Sequence, residues 1–98
     1  MKVILMRLSE NSGEAPKHMA AHNEWIAKGF DDGVFLLIGS LQSAKGGMIL
    51  AAGEDNDALQ RRIAADPFVR EGIVDVELHD AKPFRSDPRL SFILEEAA

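Results

Sequence analysis

Five apolar residues in a row, Val34 to Ile38, lead into Gly39. A strand with one covered face alternates apolar and polar side chains, so a strand apolar throughout asks for cover on both faces. In a chain of 98 residues that demand is hard to meet. There is material for one modest core and little left for a second layer.

The flanking segments say what one face packs against. Met1 to Leu8, rich in Val, Ile, Leu and Met, reads as a first strand. Pro16 suits the first turn of a helix, where its missing N–H is unpaired anyway, and the helix runs to about Phe30. Met19, Ile26 and Phe30 fall on one stripe and are the expected inward face. Asp31, Asp32 and Gly33 are turn chemistry before the apolar strand, Val34 to Gly39. Gly46 and Gly47 lead into a third strand, Met48 to Ala52, and Asp55 or Asn56 caps a second helix carrying Leu59 and Ile63. The fourth strand, Ile73 to His79, alternates, with Val74, Val76 and Leu78 opposite Asp75, Glu77 and His79.

Strand, helix, strand, strand, helix, strand is the α+β, ferredoxin-like βαββαβ order: an antiparallel sheet with both helices on one face. The other face is left bare. A second copy packed sheet to sheet covers it with closed two-fold symmetry, as a homodimer. The alternative is that the tail from Lys82 onward folds over the face. No linker or repeat divides the chain, so residues 1–98 read as one domain, with a core to about Arg85 and an extension from Ser86 to Ala98.

Composition narrows the function classes. Sixteen acidic against 11 basic side chains give a net charge of -5, so nucleic acid is not an expected partner. The absence of cysteine excludes disulfide scaffolds, cysteine-based zinc sites and thiol nucleophiles. The longest apolar run is too short to span a bilayer, and no secretory pattern opens the chain; a cytoplasmic location is expected.

Two residues stand out as chemistry. His22 lies beside Met19 and Ile26 on the helical wheel, bordering the line of His18, Trp25 and Gly29. An imidazole, with an ordinary pKa of about 6.5, suits acid–base work at neutral pH. The plain alternative is a helix-border histidine bonded to a loop carbonyl. Asp66, before Pro67 and Phe68, reads as the cap of a short helical turn, or as a carboxylate that orients His22. His18 and His22 share a helix face but lack a third ligand at matching spacing, with His79 the one distant candidate, so no metal is expected. No nucleophile elbow surrounds Ser40 or Ser43, and Gly46-Gly47 is no phosphate loop, so no cofactor is expected either.

Taken in order, His22, Gly33, Gly39, the run Asp66-Pro67-Phe68 with Gly72, and the run Lys82-Pro83-Phe84-Arg85 resemble the YciI-like (YCII-related) family. The resemblance covers Met1 to about Arg85 and implies a dimeric α+β barrel with a His and Asp pair, here His22 and Asp66. It implies isomerase-type or lyase-type (dehydrochlorinase-type) acid–base chemistry on a small organic substrate. Ser40 and His79 are, apart from the resemblance, second candidates for lining the pocket. A non-catalytic, homodimeric small-ligand-binding or accessory domain is the alternative. Ser40 stands where many members have proline, the Leu41–Gly47 loop is short, and the chain continues past the family's usual end.

Overall fold

The computed structural model describes residues 1–96. The strands are β1 (Lys2–Leu8), β2 (Phe35–Ser40), β3 (Gly46–Ala51) and β4 (Val74–Asp80). The helices are α1 (Ala15–Asp31), α2 (Asn56–Ala64), the one-turn α3 (Pro67–Arg70) and α4 (Ser91–Glu96). The sheet order is β2-β3-β1-β4 with every neighbouring pair antiparallel, which is the ferredoxin-like α+β arrangement. Among the described residues no helix is long and apolar enough to cross a membrane. Residues 97 and 98 of the expected extension lie outside the described residues.

Register decides what each face carries. Ile38, Ile49, Ile4 and Leu78 pair in one rung across all four strands. They belong to the face whose central residues, Ile4 and Ile49, are wholly buried. Each such isoleucine contributes about 1.5–3 kcal/mol by leaving water. One residue away, Leu37, Leu50, Val3 and His79 form the rung of the opposite face. In β2 the register shifts between Phe35 and Leu37, so Phe35 and Ile38 both turn to the helices while Leu37 turns away. The uniformly apolar run therefore feeds two faces through a bulge. Its expected cover is incomplete within one chain, since Leu37 is 49% and Ile38 40% exposed.

The inward face of α1 differs from the expected stripe. Trp25 and Gly29 are buried, whereas Met19 and Phe30 are exposed. The reason lies at Gly29. A Cβ there would sit 2.1 Å from a ring carbon of Phe35, so the missing side chain lets α1 settle directly onto that ring. The Phe35 ring also meets Trp25 edge-on at 5.0 Å between centroids. Leu59 and Ile63 of α2, and Pro67 and Phe68 of α3, complete the layer, as α2's expected ridge required.

Glycine backbone sets the turns on either side of β2 and β3. Gly33, at φ 73°, reverses the chain between α1 and β2. Gly46, at φ 139°, opens β3, and a Cβ on it would meet the Met6 carbonyl oxygen at 2.0 Å. The hairpin thus lies against β1 without side-chain interference. Beyond β4 the chain forms a single 3-10 turn, Pro88–Leu90, and then α4. Ile93 of α4 is buried, while Phe84, Leu90 and Phe92 remain exposed.

Candidate functional site

The site begins with a helix cap. Asp66 is in extended conformation, Pro67 supplies the first helical residue, and Asp66 Oδ1 accepts the Phe68 N–H at 3.1 Å. The same oxygen lies 2.7 Å from His22 Nδ1. A carboxylate oxygen only accepts, so the imidazole donates through Nδ1–H, and Nε2 is the ring nitrogen left outside this contact. Asp66 is completely buried, and its Oδ2 has no hydrogen-bond partner among the described residues. Cap and ring orienter are one residue, so both readings of Asp66 hold geometrically.

His22 is fixed on more than one side. Its ring stacks on Phe68, with 3.8 Å between centroids and planes 4° apart. Trp25, one turn further along α1, lies 5.9 Å away and near parallel. Trp25 is itself anchored, because Nε1–H donates to the Arg62 carbonyl at 2.8 Å. The carboxylate and the two aromatic neighbours restrict both tilt and rotation of the imidazole. Preorganisation of this kind is what a proton-transfer group needs, since its geometry is set before any ligand arrives.

His22 opens onto a cleft of about 460 Å³ between α1, the Phe68 turn and the β2–β3 end of the sheet. Ser40, at the end of β2, lines it. His79 does not. The alternation of β4 sends it to the sheet face away from the helices, where Nε2 lies 3.1 Å from Glu77. Arg7 joins that cluster through Glu77, and His79 and then Arg7 hold the Glu77 carboxyl below its ordinary range. Among the described residues no three His, Cys, Asp or Glu side chains gather as metal ligands. Asn23 and Met19 also line the cleft and lie outside the expected site residues. Met19 had been counted as core, and Asn23 follows His22 directly, a neighbour relation that carries no helical periodicity.

The geometry can be set beside known proteins. The chain resembles in fold the 5-chloro-2-hydroxyhydroquinone dehydrochlorinase from Burkholderia phenoliruptrix AC1100, solved in complex with 2,5-dihydroxybenzoquinone. The TM-score is 0.65 at 13% identity, covering 91% of this chain and 98% of that one. That identity speaks for the fold alone. A comparison with curated proteins found no match. The YCII-related domain matches residues 1–82, well over half of the sequence, and the chain belongs to that family.

Proposed function

We propose that the protein is a small enzyme performing cofactor-independent acid–base chemistry on a small, ring-bearing organic molecule. The observation that carries this reading is the 2.7 Å contact between His22 Nδ1 and Asp66 Oδ1, at the wall of a cleft. With Nδ1 committed, Nε2 is the nitrogen left to exchange a proton with a ligand. It takes a proton from a carbon acidified by a neighbouring carbonyl or hydroxyl-bearing ring. The electron pair freed at that carbon then either accepts a proton elsewhere, which is isomerisation, or expels a leaving group with its own pair, which is elimination. Asp66 is the positioning residue; its charge supports the imidazolium formed in between. Ser40 orients the substrate from the opposite wall. The dehydrochlorinase with the related fold supports the choice of reaction class. The working unit in this reading is a cytoplasmic homodimer whose outer sheet faces pack together.

The test is proton exchange rather than turnover of a guessed substrate. Small keto- and hydroxyl-bearing rings are first screened for raising the melting temperature, since a ligand of the folded state stabilises it. Compounds that do so are incubated with the protein in heavy water, and deuterium at carbon is read by NMR. Incorporation should occur with the native chain, fall at least about a hundredfold in His22→Gln, and fall less in Asp66→Asn. Exchange equal in His22→Gln would refute the enzyme, and stabilisation without any exchange would make the cleft a binding site.

A further inference from the structure

The lining of the cleft beside His22 differs from the chain as a whole. Charged residues make up 28% of the sequence, yet no Asp, Glu, Lys or Arg lines this space. Ile38, Phe68, Met6 and Met19 are among its walls, and His22, Asn23 and Ser40 are its polar side chains. The chain has four methionines, and two of them, Met6 and Met19, meet here. Met6 is buried in the core, but Met19 is 43% exposed.

Those facts constrain a ligand from two sides. A charged group entering the cleft would give up water without gaining an ionic partner from the wall, and that penalty is steep. The buried carboxylate of Asp66 already accepts from His22 and Phe68 through Oδ1, and the net charge of -5 further opposes anions. Methionine, unbranched and polarisable, reshapes itself around apolar outlines better than branched side chains do. A volume of about 460 Å³ falls within the usual range for small-molecule pockets.

We propose that the cleft takes uncharged, mainly apolar small molecules presenting one hydrogen-bonding group to the polar corner of His22, Asn23 and Ser40. Its two methionines let it accept more than one ring outline. The inference rests on the reading of this cleft as the substrate site, and on no particular reaction.

The experiment is equilibrium binding of three probes of one shape at pH 7: 2-naphthol, 2-naphthoate and 2-naphthylmethylammonium. Calorimetry should give the neutral probe an affinity at least about tenfold above both ions. Peroxide footprinting by mass spectrometry locates the site: bound naphthol should slow sulfoxide formation at Met19, relative to Met1. Naphthoate or the ammonium binding as tightly as naphthol overturns the proposal, as does no binding by any probe. Binding of naphthol without protection of Met19 overturns it too. Neutral selectivity together with absent deuterium exchange would remove the catalytic reading and leave this one standing. Exchange on a charged ring would do the reverse.

Discussion

The imidazole of His22 and the ring of Phe68 lie face to face, 3.8 Å apart and 4° from parallel, because one oxygen holds both residues. Asp66 Oδ1 accepts from the ring nitrogen of His22 and from the backbone N–H of Phe68. The partners come from α1 and from the turn after α2, 44 residues apart between His22 and Asp66. A local capping interaction is thereby converted into a long-range one. The stack adds about 0.5–1.5 kcal/mol if it behaves as other parallel ring pairs do.

Replacing Asp66 separates these roles. Asp66→Ala removes the cap and leaves the His22 Nδ1–H and the Phe68 N–H without their acceptor. Loss of about 2–4 kcal/mol is expected from the cap and the unpaired donors together. Asp66→Asn keeps an oxygen for both and should lose less than half as much. Urea denaturation of the two variants decides it. Equal losses would mean that Asp66 Oδ1 contributes little to either bond.

Gly29 makes a prediction that runs against helix propensity. Alanine is the better helix former by about 0.8–1.0 kcal/mol, and an exposed position would gain from the change. Here the added methyl would stand 2.1 Å from the Phe35 ring, so ring or helix must move. Gly29→Ala should destabilise by about 1–3 kcal/mol net, as overpacking of a filled core does. Gly13→Ala is the control, since nothing lies within 4 Å of its Cβ position. It should leave the urea midpoint within experimental error of the native value.

Acid should unfold the protein partly through its exposed ion pairs. Arg62 joins Asp32, at 3.0 Å, to Glu54, also at 3.0 Å, across the helix layer. The hydrogen bond from Arg62, with Lys28 adding to it, holds the Asp32 carboxyl below its ordinary range. A lowered folded-state pKa contributes stability that is present above the unfolded value of about 4 and lost as pH falls through the folded one. Asp32→Asn should therefore flatten the fall in melting temperature between about pH 5 and pH 2. Raising salt should flatten it in the native chain as well, because exposed charges are screened. A variant whose acid limb is as steep as the native one would remove Asp32 from the account.

Much of the architecture is legible in the sequence, and the failures have a common physical origin. Strand and helix order follow from Pro16, the turn at Gly33 and the alternation of β4, all of which act locally. The face of α1 does not follow, because its buried position is Gly29, which carries no hydrophobic signal and matters only through Phe35. Counting apolar side chains instead placed Met19 inward, whereas it lines the cleft. His79 shows the opposite lesson. The alternation that identified β4 already sends it to the face away from His22, so a pocket role conflicted with the strand pattern from the start. The contact between His22 and Asp66 was implied by family resemblance; single-residue spacing could not supply it.

The outer sheet face carries the last prediction. Val3, Leu37 and Leu50 share one rung there, and Leu5 and Met48 pair in the next position along the strands. Arg7, Glu77 and His79 lie along one side of this apolar strip. The tail leaves Phe84, 95% exposed, in water rather than on an apolar surface. A second copy covering the strip would bury it at closed two-fold symmetry. Sedimentation at micromolar concentration should give about 21 kDa, twice the 10.7 kDa of one chain. Leu50→Lys, on the inner strand β3, should halve that mass, because a lysine from each copy would be buried in the interface without a partner. The circular dichroism of the variant should stay native, since Leu50 faces away from the helices and Ile49 still fills the core. A native chain that sediments at the mass of a single copy would refute the sheet-to-sheet dimer outright.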